Sequence, residues 1–129
     1  MPVNLIRGEV KAGFPSPAED LGSEHLDLAN LIGSDKEDAF FMRASGHSMI
    51  RFGIFDGDLM LVRKRKRPRD GHIVIADIDG EFLVKMLYKQ SGVVKLVSGN
   101  PDPPDIEPTE DQTIKVWGVV THSIKTFGA

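Results

Sequence analysis

Two short stretches of the chain carry residues able to do nucleophilic chemistry. In Ala44-Ser45-Gly46-His47-Ser48-Met49-Ile50 a predicted strand runs into a small, glycine-containing turn that ends in a serine before an apolar pair. Small residues let a substrate backbone approach, and they let backbone N–H groups converge on a carbonyl oxygen, as an oxyanion hole requires. Taken alone, such a turn is more often built by a serine bonding its own backbone. The second stretch surrounds Lys85. With Glu81 to Tyr88 on a strand, the period of two puts Phe82, Val84 and Met86 on one face and Leu83, Lys85 and Leu87 on the other. A lysine between leucines loses hydration, which disfavours its charged form, and a neutral amine can take the proton of a serine hydroxyl. The plain alternative is an edge-strand lysine that reaches out to water and discourages aggregation.

Histidine is the competing base. His25, His47, His72 and His122 are scattered and show no HExxH-type spacing. His47 adjoins Ser48, but neighbours on an extended chain point to opposite faces, so it is poorly placed to deprotonate that serine. A triad through His72 or His122 stays open without any spacing that specifies it. No ligand cluster suggests a metal. A third feature is the run Arg63-Lys64-Arg65-Lys66-Arg67-Pro68-Arg69, in which six of seven residues are basic. It reads either as a solvated loop or as a contact for phosphates or an acidic protein surface. No aromatic residue interleaves with it, so base stacking is not suggested.

The elements that must position these residues are short strands. Phe40–Ala44, Asp58–Val62, His72–Asp77, Glu81–Tyr88, Val93–Val97 and Ile114–Ser123 each read as one, with Asp56-Gly57 and Asp79-Gly80 as turn signals. Gly99 to Asp105, with three prolines, is predicted to be a loop. Before the strands, Met1 to Ala12 carries no helical period and suits an extended arm. Gly13-Phe14-Pro15-Ser16-Pro17 then breaks the chain, and a short helical turn from Leu26 stops at Gly33. The expected division is an arm over 1–12, a linker packing on the body over 13–38, and a mostly β body over 39–129. The 129 residues suit one modest core. Cysteine is absent, which excludes a disulfide scaffold, a thiolate zinc site and a cysteine nucleophile. The net charge of −3 does not mark a general nucleic-acid binder. The apolar runs fall short of the ~20 residues of a membrane helix, and Met1 to Lys11 shows no secretory h-region. The expectation is a soluble cytoplasmic protein that touches no membrane.

Five segments occur together in one order: Ala12-Gly13-Phe14-Pro15-Ser16-Pro17-Ala18, Ala44 to Ile50, Asp56-Gly57-Asp58, Gly71-His72-Ile73-Val74-Ile75-Ala76 and Asp79-Gly80-Glu81-Phe82-Leu83-Val84-Lys85. In that order they resemble the UmuD-type members of the LexA-like family of self-cleaving serine peptidases, over nearly the whole chain from Lys11. The resemblance implies a strongly twisted, mostly β body. It implies Ser48 as nucleophile, Lys85 as general base, and the backbone N–H groups of His47 and Ser48 as the oxyanion hole. The scissile bond would be Ala12–Gly13, and no cofactor or metal would be needed. It further implies a homodimer, cleavage stimulated by a RecA filament on single-stranded DNA, and a shortened product that joins a UmuC-type Y-family polymerase in error-prone translesion synthesis. Two features depart from the pattern: the arm is short, and His47 stands where these proteins usually carry an acidic residue. The basic run, with Arg63, Lys64, Arg65, Lys66 and Arg67 as its candidate partner contacts, is not expected of them either. Without a helix-turn-helix ahead of the body, repressor function is unsupported.

Overall fold

A computed structural model describes residues 2–7, 10, 23–100 and 114–128. The chain divides into two compact units, 1–35 and 36–129. In the first, strand β1 (Pro2–Ile6) pairs antiparallel with β2 (Ser23–Asp27), Pro2 opposite Asp27 and Ile6 opposite Ser23. β2 runs straight into one short helix, α1 (Leu28–Ile32). The Asp27 side chain accepts from the Asn30 N–H at its start, and Gly33, left-handed at φ 82°, closes its end by donating to the Ala29 carbonyl. The helical turn and its Gly33 stop were legible in the sequence; the pairing of the arm segment was not.

The second unit is a six-stranded antiparallel sheet of β3 (Ala39–Arg43), β4 (Leu59–Arg63), β5 (Ile73–Ile78), β6 (Glu81–Gln90), β7 (Val93–Val97) and β8 (Ile114–Ile124). Their order across the sheet is β3-β4-β8-β5-β6-β7. This matches the mostly β expectation. Two tight hairpins make β5-β6-β7 a meander. Asp79 and Gly80 both have positive φ, as do Ser91 and Gly92, which gives each two-residue turn the twist its strands need. β8 lies between β4 and β5 and is irregular in both ladders. Leu61 and Val62 face His122 and Val120, so Thr121 is extra; Ile75 and Ala76 face Gly118 and Val116, so Trp117 is extra. Each bulge bends the strand and increases its twist.

The alternation along these strands feeds two apolar clusters. One gathers Ala44, Met49, Ile54, Met60, Val62 and Ile75; the other gathers Val74, Ala76, Ile78, Leu87, Leu96 and Val119. β6 contributes to both, with Val84 and Met86 against the first and Leu83 and Leu87 against the second. Lys85 therefore belongs to the face of the second cluster, as the period of two requires.

Candidate active site

The serine turn is held from two sides. Met49, buried in the first cluster, anchors it from below, and a single 3₁₀ turn over Ile50–Phe52 follows. The neighbouring turn buttresses it: the Gly46 N–H donates to the Asp56 carboxylate at 2.8 Å, Ala44 N–H to the Asp58 carbonyl at 2.8 Å, and Gly57 N–H to the Ala44 carbonyl at 2.9 Å. Asp58 is itself pinned, because its carboxylate accepts from the Phe55 N–H, the Ser123 hydroxyl and the Lys125 ammonium. Burial works to raise this carboxyl, but the Lys125, Phe55 and Ser123 donors outweigh it and hold it below the ordinary carboxylate value. Among the described residues, no hydrogen bond takes up the backbone N–H of His47 or Ser48. Two consecutive donors thus stay available in the turn.

Lys85 is 3% exposed. The β6–β7 register explains how a lysine survives there. Met86 faces Val97 and Leu87 faces Leu96, so the next cross-strand position opposite Lys85 is Ser98, one residue past β7. The Lys85 Nζ donates to the Ser98 Oγ at 2.9 Å. On its other side Lys85 faces Val74 of β5. An amine in this position has lost most of its water, and a buried polar group without a partner is costly, so the Ser98 hydroxyl is part of what lets it stay.

Residues 98–100 then cross to the serine turn. The Gly99 carbonyl accepts from the Arg51 N–H at 2.8 Å, and the Asn100 amide donates to the His47 carbonyl at 3.1 Å. Gly99 is pressed so close that a Cβ there would stand 2.9 Å from the Met49 Cα and 2.8 Å from the Phe52 ring. Only glycine fits this approach.

Ser48 lines a cleft of about 180 Å³, together with Ser45, Met42, Ala44, Met60 and the β6 residues Phe82, Leu83 and Val84. The cleft wall thus includes the strand that leads directly into Lys85. Arg43 also lines it, and the remaining lining of small, apolar and hydroxyl side chains suits an extended peptide. Trp117, the extra residue of its bulge, packs between the exposed rings of Phe40 and Phe82, with the Lys64 ammonium 5.1 Å from its ring centre.

Ala12 and Gly13, the expected scissile pair, lie outside the described residues. The basic run is split by the fold. Arg63 bridges to Asp38 at 2.9 Å, and the Arg65 N–H donates to the same carboxylate at 3.0 Å. Burial raises the Asp38 carboxyl, but the Arg65 N–H and the Arg63 guanidinium overcome this and lower it. Lys64 covers Trp117. Lys66, Arg67 and Arg69 line a separate concavity of about 260 Å³ with His72, whose Nδ1 accepts from the Arg69 N–H. The acid in that segment, Asp70, is turned onto β6, where it accepts from the Lys89 N–H and the Gln90 amide.

Sequence reasoning missed Ser98, Asn100 and the buttress made by Asp56 and Asp58. Ser98 had no signal beyond the β6–β7 register. Gly99 and Asn100 were read only as the start of a loop, and Asp56-Gly57-Asp58 only as a turn.

Comparison with known proteins bears on this geometry. The Peptidase S24-like family model matches residues 4–121. The chain is 42% identical over 121 residues to protein ImpA of Salmonella typhimurium, covering 93% of this chain and 81% of ImpA. It is 44% identical over 117 residues to protein SamA of Salmonella typhimurium, with 91% and 81% covered. Against the LexA repressor of Desulfitobacterium hafniense it is 40% identical over 116 residues, which are 89% of this chain but only 54% of the repressor. A serine turn on a cleft rim, a buried lysine on the adjoining strand, and a family match spanning nearly the whole chain agree: this chain belongs to the S24-like, LexA/UmuD-like family of self-cleaving serine peptidases.

Proposed function

We propose that the chain cuts itself once, at Ala12–Gly13, with Ser48 as nucleophile and Lys85 as base. Two observations support this reading: Ser48 lines the cleft, and Lys85, 3% exposed, stands on β6, the strand that also walls it. The Ser48 Oγ attacks the Ala12 carbonyl carbon while the Lys85 amine takes the hydroxyl proton. The oxyanion that forms is met by the N–H groups of His47 and Ser48. The C–N bond then breaks, the Lys85 ammonium returns its proton to the departing Gly13 amine, and an ester joins Ala12 to Ser48. Water, deprotonated by Lys85, hydrolyses the ester. The substrate is tethered to the enzyme, so its effective concentration is high and slow chemistry suffices. No cofactor takes part.

In this reading the product starting at Gly13 acts in the response to DNA damage. It works as a homodimer and as the accessory subunit of a UmuC-type Y-family polymerase during translesion synthesis. Docking on a RecA filament on single-stranded DNA promotes the cut. The family match and the likeness to ImpA, SamA and LexA support this assignment. Intact mass and N-terminal sequence of the purified chain, incubated with and without the filament, test both the bond and the stimulus.

A second reading has its own observation. The concavity of Lys66, Arg67, Arg69 and His72 holds three cations that are not tied to any carboxylate among the described residues. It suits backbone phosphates of nucleic acid. A non-catalytic accessory module on the same fold would use this surface and leave the dyad idle.

A further inference from the structure

We propose that Ser98 and Asn100 are positioning residues for this dyad: Ser98 holds the amine of Lys85, and Asn100 sets the plane of the His47–Ser48 peptide. The proposal rests on the reading of Ser48 and Lys85 given above and adds what aligns them. Three consecutive residues perform it. The Ser98 Oγ accepts from the Lys85 Nζ at 2.9 Å. Gly99, with no side chain, lies against the Met49 backbone and accepts from the Arg51 N–H. The Asn100 amide donates to the His47 carbonyl at 3.1 Å.

The last contact matters because of peptide geometry. The His47 carbonyl and the Ser48 N–H belong to one planar unit, and in a trans peptide they point in opposite directions. Holding the carbonyl oxygen from one side therefore aims the N–H from the other. The Ile50 N–H also reaches that oxygen, but at 3.5 Å, so Asn100 makes the shorter contact of the two. The Ser48 N–H is the donor assigned to the oxyanion, and preorganised donors act strongly because they do not reorient during reaction.

Ser98 serves the other half. Its hydroxyl oxygen can accept an N–H of Nζ from the ammonium and from the amine alike, so it holds Nζ in both protonation states and leaves the amine's lone pair for the Ser48 proton. Because the same short segment touches the base at residue 98 and the oxyanion peptide at residue 100, it fixes two parts of the site relative to each other. Neither residue touches the scissile bond: Ser98 acts through the Lys85 amine and Asn100 through the His47–Ser48 peptide.

The test compares rates of cleavage after Ala12 in the full chain at alkaline pH. Wild type is set beside Ser98→Ala, Ser98→Thr, Asn100→Ala and Asn100→Asp, with thermal unfolding of each. Ser98→Ala is expected to cut about ten- to a hundredfold more slowly, the range for a small misplacement. Ser98→Thr, which keeps the hydroxyl, is expected to recover most of the loss. Asn100→Asp keeps the shape but replaces the donor with an acceptor, so it is expected to be at least as slow as Asn100→Ala while melting near wild type. A wild type that cuts while Ser98→Ala and Asn100→Asp match its rate overturns the proposal alone. Equal slowing by Ser98→Thr and Ser98→Ala overturns the role of the hydroxyl. Wild type that stays intact removes the dyad reading and this proposal together.

Discussion

Lys85 and Ser98 face each other across β6 and β7, with the lysine Nζ donating to the serine Oγ at 2.9 Å, at a position that the strand register alone dictates. Replacing the buried amine with an apolar residue of similar length therefore separates chemistry from stability. Lys85→Met is expected to abolish cleavage and to melt at or above the wild-type temperature, since an apolar side chain of similar length avoids the cost of burying a polar group. Lys85→Ala also loses cleavage but leaves a cavity beside Leu83 and Leu87, at about 2–4 kcal/mol. Urea unfolding of both variants reads the difference. A Lys85→Met chain that still cuts itself removes the lysine from the mechanism.

Gly99 is the point where residues 98–100 press on the serine turn. Gly99→Ala forces a Cβ to within 2.9 Å of the Met49 Cα, a backbone atom that cannot swing aside. The expected cost is about 1–3 kcal/mol, as for overpacking elsewhere, with slower cleavage because the Lys85 and His47 contacts shift together. An Ala variant with wild-type stability and rate contradicts this packing.

How much of the molecule is legible in its sequence depends on the range of the interaction. The faces of β6 followed from alternation alone, which put Lys85 with Leu83 and Leu87. Asp79-Gly80 announced its hairpin through local turn chemistry, and Gly33 its helix end. Contacts set by register between distant segments were not legible. β1 pairs with β2 across a stretch that reads as a break, Trp117 and Thr121 are bulged only relative to β4 and β5, and Ser98 meets Lys85 only once β7 is in place. The basic run looked uniform in sequence, yet Asp38 and Trp117 take Arg63 and Lys64 for structure.

Acid should unfold the second unit through Asp38 and Asp58. Both carboxyls titrate lower in the folded chain than their ordinary value of 3.8. As pH falls, the unfolded chain takes up these protons first. The stability they supply is therefore complete above about pH 4–5 and drains as pH drops through the folded values. Asp58→Asn is expected to be less stable than wild type at pH 7 and to lose less on going to pH 3. Urea midpoints across that range check it; parallel curves for the two proteins contradict it.

The division of the basic run predicts two different phenotypes. Neutralising Lys66, Arg67 and Arg69 together should weaken binding to single-stranded DNA and flatten its salt dependence, by about 0.7 in log–log slope for each phosphate no longer neutralised. Arg63→Gln should instead lower stability through Asp38 and leave that slope alone. Fluorescence anisotropy over a salt series reads both. An unchanged slope in the triple variant rules out the phosphate site.

With the proposed dyad, cleavage should accelerate as pH rises and then level off, because an amine must be uncharged to accept a serine proton. Rates of product formation from weakly acid to alkaline buffer give the profile. A flat profile argues against a lysine base.

The most direct test is intact mass with N-terminal sequencing of the full chain after alkaline incubation, beside Ser48→Ala and Lys85→Met. One new product beginning at Gly13 is expected in the wild type and none in either variant. A wild-type chain that stays whole, even with a RecA filament on single-stranded DNA, or a cut that persists without Ser48, would contradict it.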